Sequence, residues 1–250
     1  MHAGSAGGRD GGGGNGGGGG AAAARTLFTA DFDDRGQWVA GRTWAYPDQG
    51  AGGNLGDHKL DRLRTSWPRR GGLFEAVRRA DGTGWDTDLL TTAGASRPFR
   101  LRPGHVLRVR FQLPEQRGAW PAVWTWGVDD GPQGEADVFE YHPDRPAVLE
   151  LTNHRGEGSS HYHEDAAAVR PGRWIDVETS FGEESVVWRV GGRQVFSDGV
   201  GVGPDWRAWL IVNLSVYAPS PPAPRPQYHE GPAPGVGRMD WLVHSLTVHG

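Results

Sequence analysis

Apolar and polar side chains alternate along several short segments of the chain, as they do in half-buried β-strands. The clearest segment is residues 106–113, in which Leu107, Val109 and Phe111 alternate with Arg108 and Arg110. Side chains two residues apart lie on the same face of a strand, so this segment has one apolar and one polar face. Alternation or a short apolar run also predicts strands at residues 27–32, 148–152, 174–179, 186–190, 209–216 and 241–248.

Glycine and proline separate these segments at short intervals. The triplet Arg-Pro-Gly at 102–104 and at 170–172, and the pair Gly-Pro at 203–204, are typical turn sequences. Gly191 and Gly192 lie between predicted strands at residues 186–190 and 194–196, which indicates a β-hairpin. The sequence contains no convincing long amphipathic helix. Many short strands without helices predict an all-β fold, a two-sheet antiparallel β-sandwich or jelly roll.

The first 24 residues differ from the rest of the chain. Twelve of the first twenty are glycine, and such a segment has no side chains with which to build a core. We therefore expect residues 1–24 to be a disordered leader or a flexible linker, and residues 25–250 to form one domain. Proline-rich stretches at 219–226 and 232–234 predict one long ordered loop before the final strand.

Composition excludes several classes of protein. The formal net charge is -4 and no basic stripe is present, which argues against a nucleic-acid partner. The chain has no cysteine, so it has neither disulfides nor thiolate metal sites, and no apolar run has membrane-spanning length. Twelve tryptophans are more than a core of this size needs, which indicates that some are platforms for flat ligand faces. We expect a monomer.

Three acidic residues follow a tryptophan-rich segment in residues 120–140. Glu135 and Asp137 lie on one face of a predicted strand, whereas Glu140 has the wrong parity for that face. A β-bulge near Val138 or Phe139 would bring it to the same face. Cleavage of a glycoside needs two carboxyl groups, one protonated and one ionised. The alternative is an edge strand with three solvated acids.

These residues resemble a known family. The segment Glu-Ala-Asp-Val-Phe-Glu at 135–140 resembles the E-x-D-x-x-E active-site strand of glycoside hydrolase family 16, the laminarinase-like group. The segment Trp-Pro-Ala-Val-Trp at 120–124 is similar to the W-P-A-x-W strand of that family. Weaker similarities, at residues 46–48, 90–92, 213–216 and 239–248, extend the resemblance over about residues 27–250. The resemblance implies a concanavalin A-like jelly roll with a concave substrate cleft.

The resemblance also implies roles for the three acids. Glu135 matches the nucleophile of a retaining enzyme, Glu140 the general acid/base, and Asp137 the residue that assists between them. The expected activity is that of an endo-glycoside hydrolase that cleaves β-1,3- or mixed-linkage β-1,3/1,4-glucan through a glycosyl-enzyme. The expected partner is thus a polysaccharide substrate. No cofactor is needed for this chemistry, although family members often bind a structural calcium ion, for which no ligand is identified in this sequence.

Other residues are candidates for substrate binding. Trp120, Trp124 and Trp126 share the parity of one strand face and are candidate platforms for glucose rings. The alternative is that Trp120, Trp124 or both lie in the core, and Trp120 is nearly as compatible with that place. His154 resembles a histidine that lines the cleft in many family members, and a structural histidine is the alternative. The remaining candidates, each equally compatible with a place in the core, are Trp44 and Trp85.

A second class of function uses the same fold. Lectin-like modules keep the carbohydrate-binding face without the chemistry, and this chain would then bind a glycan without cleaving it, alone or as part of a larger particle. Three closely spaced acids favour the enzyme. We expect an extracellular location although no signal peptide is visible, with a virion-associated or cytoplasmic location as the alternatives.

Overall fold

The computed structural model describes residues 24–41, 59–67, 71–127, 134–218 and 229–250, together with the backbone at 54–56. Residues 1–23 of the Gly-rich leader, Trp44 and the proline-rich stretch at 219–226 lie outside the described residues. In the described part of the chain, no helix is long and apolar enough to cross a membrane.

Eighteen strands make up this part of the chain, in agreement with the predicted all-β class. In chain order they are β1 (Thr26–Thr29), β2 (Val39–Ala40), β3 (Asn54–Gly56), β4 (Lys59–Leu63), β5 (Leu73–Arg78), β6 (Trp85–Thr87), β7 (Leu89–Thr91), β8 (Arg100–Leu101), β9 (Val106–Gln112), β10 (Ala119–Gly127), β11 (Ala136–Tyr141), β12 (Val148–Asn153), β13 (Ser159–Glu164), β14 (Trp174–Phe181), β15 (Val186–Val190), β16 (Arg193–Ser197), β17 (Ala208–Val216) and β18 (Arg238–His249).

The strands form two sheets. The first has the order β16-β15-β14-β9-β18-β5-β6-β4-β3, with β1 added to β18. The second has the order β13-β12-β11-β10-β17-β7-β2, with β8 added to β17. Neighbouring strands are antiparallel except for β4 and β6, which are parallel. This architecture confirms the predicted two-sheet sandwich of the jelly-roll kind.

The alternation in residues 106–113 has the predicted structural result. Leu107, Val109 and Phe111 of β9 are buried between the sheets. Arg108 and Arg110 lie on the outer face and pair with acidic residues of the neighbouring strand β14. The strand thus has a core face and a solvated face, because each residue type occupies the side on which its free energy is lower.

Two details at the ends of strands refine the predictions. Gly191 and Gly192 form the two-residue turn between β15 and β16, with φ angles of 57° and 80°. Both angles lie in the left-handed region, where glycine has no steric penalty, so the predicted hairpin is confirmed. The first strand, predicted to extend to Phe32, ends at Thr29 instead, because the Asp31 carboxylate accepts a hydrogen bond from the Asp33 N–H and starts a turn.

The core lies directly beneath the strand that carries the acids. Phe111 of β9 and Phe139 of β11 stack across the two sheets with ring centroids 3.9 Å apart and an interplanar angle of 8°. The ring of Trp241 on β18 contacts both phenylalanines edge-on. All three side chains are almost completely buried. The inner face of β11 is therefore packed against the core, and the side chains on its other face are available to form a site.

Candidate active site

A β-bulge brings the three acids of residues 135–140 to one face of the sheet. In the pairing of β11 with β12, Asp137 lies opposite Thr152 and Glu140 lies opposite Glu150. Strand β11 thus has one residue more than β12 over this interval, which reverses the parity of Glu140. The predicted bulge is confirmed. Glu135 lies immediately before the first residue of β11 rather than within the strand.

Hydrogen bonds from three neighbouring elements hold the backbone of these acids in place. The Ala136 N–H donates to the buried Thr125 hydroxyl of β10 at 2.8 Å. The His154 N–H donates to the carbonyl of Glu135 at 3.0 Å. The Trp188 Nε1–H of β15 donates to the carbonyl of Asp137 at 2.9 Å, although that strand belongs to the other sheet. The backbone that presents the acids is therefore bound on several sides.

The three acids open into one cavity of about 310 Å³ on the face of the second sheet that points away from the core. Its lining combines carboxylates, two cationic or titratable side chains, two indoles and small polar groups. The lining residues are Lys59, Trp120, Ala122, Trp124, Glu135, Asp137, Glu140, His154, Asn213 and Ser215.

His154 connects two of the acids. Its Nε2 is 2.9 Å from Asp137 Oδ2 and 3.8 Å from Glu135 Oε1. The hydrogen bond to Asp137 is the main cause that raises the pKa of His154 to about 9, so the ring is an imidazolium at neutral pH. A positive charge at this position favours the ionised form of Glu135.

Glu140 has a different set of neighbours. The Trp120 Nε1–H donates to Glu140 Oε1 at 2.8 Å. The Lys59 ammonium lies 4.7 Å from the centroid of the Trp120 ring, and this ring also packs against His142 and Tyr217. Trp120 therefore reaches the cavity as a hydrogen-bond donor whose ring is partly covered, and its role as a sugar platform stays a prediction.

Burial makes all three acids harder to ionise. It raises the pKa of Glu135 to about 7, with the negative charge of Asp137 as the second cause. It raises the pKa of Glu140 to about 7, with the charge of Glu150 as the second cause. It also raises the pKa of Asp137 to about 6, although the hydrogen bond from His154 opposes this rise. The cluster can therefore hold a proton and a negative charge together near neutral pH, as acid/base chemistry at a glycosidic bond requires.

Trp124 lines the cavity beside two polar residues of β17. Its Nε1–H donates to Asn213 Oδ1 at 2.7 Å, and the Asn213 side-chain amide donates to Ser215 Oγ at 2.9 Å. Trp124 is 8% exposed, so it presents a small part of its ring to the cavity. Trp126 is partly buried and packs edge-on against Trp124 at 6.2 Å, outside the cavity lining.

Trp85 does not join this site. It lies on β6 in the first sheet, is 3% exposed and belongs to the hydrophobic core. The prediction that it stacks on a sugar ring is wrong, because its indole fills the space between the sheets. The structure does not describe Trp44, so its role stays a prediction.

Within the part of the chain that the structure describes, two clusters bring three possible metal-ligand atoms within 4.8 Å of one another: Glu135, Asp137 and His154, and His142, Asp144 and His229. In the first cluster the imidazolium of His154 pairs with Asp137. In the second, the Arg145 guanidinium lies 3.0 Å from His229 Nε2. Each cluster therefore already contains or contacts a cationic side chain, and we assign neither as a metal site. The predicted structural calcium stays a prediction.

Sequence reasoning missed Lys59, Asn213 and Ser215 as lining residues. Asn213 and Ser215 have a detectable signal, since they are polar residues at alternate positions of the otherwise apolar segment 209–216. Lys59 has none beyond being the single lysine of the chain, because β4 belongs to the first sheet and reaches the cavity from a distant part of the sequence.

No protein-family profile and no curated protein matches the chain. The fold is similar to that of solved glucanases. The catalytic domain of an endo-1,3-β-glucanase (laminarinase) from Thermotoga petrophila has 18% identity and a TM-score of 0.69, over 91% of this chain and 98% of that one. An endo-β-1,3-glucanase from Pyrococcus furiosus has 17% identity and a TM-score of 0.66, over 91% and 94%.

A non-specific endo-β-1,3(4)-glucanase of glycoside hydrolase family 16, crystallised with a glucan oligosaccharide, has 15% identity and a TM-score of 0.70, over 92% of this chain and 96% of that one. At these identities the similarity establishes that the chain has the jelly-roll fold of laminarinases. It does not extend to activity, which has to be argued from the residues of the cavity.

Proposed function

We propose that this chain is a retaining endo-β-glucanase of the family 16 type, acting on β-1,3- or mixed-linkage β-1,3/1,4-glucan. The observation that carries the proposal is the bulge in β11, which brings Glu135, Asp137 and Glu140 into one cavity. This arrangement occurs within a fold shared with laminarinases. A purely solvated strand would gain nothing from a bulge that reverses the parity of one acid, because water hydrates a carboxylate on either face.

The surroundings of the two glutamates support a division of roles. Glu135 lies 3.8 Å from the imidazolium of His154, which favours the ionised form that a nucleophile needs. Glu140 lies opposite the carboxylate of Glu150, which favours the protonated form that a general acid needs. Asp137, hydrogen-bonded to His154, orients the imidazolium toward Glu135.

The proposed reaction has two steps. In the first, the Glu135 carboxylate attacks the anomeric carbon, the bond from this carbon to the glycosidic oxygen breaks, and Glu140 gives its proton to the departing oxygen. In the second, the Glu140 carboxylate takes a proton from a water molecule, whose oxygen displaces Glu135 at the same carbon. Two inversions leave the β configuration unchanged. The aromatic and amide groups of Trp124 and Asn213 would contact the sugar rings beside the cleavage point.

The variants Glu135→Gln and Glu140→Ala test these roles. Glu135→Gln should abolish hydrolysis of laminarin while binding survives, because the amide cannot form the glycosyl-enzyme. Glu140→Ala should retain part of its activity on an aryl β-glycoside with a good leaving group, and added azide should increase turnover and give a β-glycosyl azide. Full activity of Glu135→Gln would refute its assignment as the nucleophile.

The substrate follows from a panel of laminarin, lichenan, xyloglucan and agarose tested with the wild-type protein. We expect cleavage of laminarin or lichenan to oligosaccharides of mixed length, as an endo-acting enzyme gives. A protein that binds one of these glucans without cleaving any of the panel would instead be a lectin-like module.

A further inference from the structure

A second charged group lies beside Glu140, outside the cavity already described. Glu150 of β12 is the direct cross-strand partner of Glu140. Side chains that are directly opposite in an antiparallel pair project from the same face, with their Cβ atoms about 4.5–5.5 Å apart. The Glu150 side chain is 15% exposed, so water screens its charge weakly.

Arg145 holds this carboxylate in place. Its Nη2 contacts Glu150 Oε1, and the Arg145 side chain is 13% exposed. The same Nη2 donates to His229 Nε2 at 3.0 Å. The tautomer consistent with this bond has its proton on Nδ1, which lies 3.0 Å from Asp144 Oδ1. The Asp144 carboxylate also accepts the Glu230 N–H at 3.0 Å, which ties the network to the loop before β18.

Several other titratable or charged groups surround Glu150. His142 Nε2 is 4.0 Å and His229 Nε2 is 3.6 Å from Glu150 Oε1. Burial lowers the pKa of His142 well below its usual range, so this ring is neutral. Among the residues that the structure describes, the titratable or charged groups facing Glu150 are Asp137 and Glu140 of β11, His142, Asp144 and Arg145 of the segment that follows β11, Tyr162 of β13, and His229.

We propose that Glu150 is a positioning residue for Glu140. The Glu150 carboxylate, held in place by Arg145, keeps the proton on Glu140 until the glycosidic oxygen takes it. The proposal rests on the proposed function, in which Glu140 is the general acid. Arg145 contacts both Glu150 and His229 through one nitrogen, Nη2, and the main charges that act on Glu140 include that of Glu150 but not that of Arg145. The negative charge therefore acts on Glu140 more strongly than the positive one.

The titration of the two glutamates agrees with this geometry. Glu150 is the second cause, after burial, of the raised pKa of Glu140. Burial also raises the pKa of Glu150 to about 7, and Arg145 opposes that rise. Glu150 is consequently ionised in the alkaline range, where Glu140 most needs help to keep its proton.

The test compares kcat/KM for laminarin between pH 5 and pH 9 in the wild type, in Glu150→Gln and in Glu164→Gln. Glu164 is an exposed acid of β13 in the same sheet and is the matched control. Glu150→Gln should move the alkaline limb of the profile to lower pH by about 0.5–1 unit, whereas Glu164→Gln should not move it. Glu150→Asp keeps the charge and should restore most of the wild-type profile. An alkaline limb that is the same in Glu150→Gln and the wild type would overturn the proposal.

Leaving-group dependence separates this role from a structural one. An aryl β-glycoside with a good leaving group needs little help from an acid, so its first step should be nearly insensitive to Glu150→Gln. If Glu150→Gln does not fold, because Arg145 is left without its counter-charge, the double variant Arg145→Gln/Glu150→Gln removes both charges. It should show the same shift of the alkaline limb.

A titration by carbon-13 NMR of the Glu140 carboxyl needs no substrate. The resonance is assigned by its loss in Glu140→Gln and followed in the wild type and in Glu150→Gln. The Glu140 pKa should fall in Glu150→Gln, and an unchanged titration would overturn the proposal. Failure of the wild type to cleave any glucan would refute the proposed function and leave this titration to decide whether the two glutamates are coupled.

Discussion

Replacing Glu140 with glutamine should stabilise the protein at alkaline pH and leave its stability in acid unchanged. The carboxyl has its pKa raised from 4.5 to about 7, by burial and then by the charge of Glu150. The folded protein therefore holds this proton more tightly than the unfolded chain does. Below pH 4.5 both states are protonated and ionisation costs nothing. Between pH 4.5 and about 7 the unfolded chain loses this proton while the fold retains it, so the free energy of unfolding decreases. Above about pH 7 the fold carries a buried charge and the decrease is complete.

The difference between the ordinary Glu pKa of 4.5 and the pKa of about 7 in the fold sets the size of this change in stability. At about 1.4 kcal/mol per pKa unit, the cost above pH 7 has an upper bound of about 3.5 kcal/mol. Because Glu135 and Glu150 adjust their own protonation, we expect about 1–2 kcal/mol of this to appear as a gain in the variant. Glutamine keeps an oxygen that accepts the Trp120 Nε1–H, so the substitution does not leave this indole donor unsatisfied. In a protein of this size the gain corresponds to a rise of about 3–6 °C in Tm.

The assay is thermal and urea unfolding of the wild type and Glu140→Gln at pH 4 and at pH 8.5. Glu164→Gln is the control, since it removes an exposed charge from the same sheet. We expect Glu140→Gln to be more stable than the wild type at pH 8.5 and equally stable at pH 4. Equal stability at pH 8.5, or the same gain at both pH values, would refute the argument that the fold carries this charge at a cost.

Three further substitutions test the surroundings of the site. Asn213→Ala removes the acceptor of the buried Trp124 Nε1–H and should lower the free energy of unfolding in urea by about 1–3 kcal/mol. The variant should also have a higher KM for laminarin, and an unchanged KM would show that Trp124 does not contact the substrate. Phe139→Ala removes the ring stacked on Phe111 and should cost about 3–5 kcal/mol, and a loss below about 1 kcal/mol would contradict the described core packing. Gly192→Val places a β-branched residue at a φ of 80° and should cost about 1–2 kcal/mol through backbone strain alone, with Gly192→Asn as the milder comparison.

Short-range patterns in the sequence were sufficient to predict the strands and the parity problem of the acids. Alternation predicts β9, and two glycines predict the hairpin, because each depends on residues that are adjacent in the chain. The wrong parity of Glu140 relative to Asp137 predicts a bulge, since a regular strand cannot place both on one face. These parts of the fold are determined locally.

The parts that sequence reasoning missed depend on pairing between distant segments. Nothing near Glu140 indicates that Glu150 lies opposite it, because this contact follows from the register of β11 and β12. Lys59 of β4 reaches the cavity through another long-range contact, an isolated antiparallel bridge to Tyr217. The sequence leaves Trp85 equally compatible with the cleft and with the core, where it lies, because a tryptophan on a three-residue strand has the same local pattern in either place.

The configuration of the first product tests the central claim most directly. Proton NMR of the wild-type protein with laminarin or lichenan, recorded within the first minutes of reaction, shows the anomer that is released before mutarotation. If Glu135 forms a glycosyl-enzyme and Glu140 serves as acid and then as base, the new reducing ends appear first in the β configuration and the α signal grows later. Release of the α anomer first would contradict the retaining mechanism and the role of Glu135 as the nucleophile.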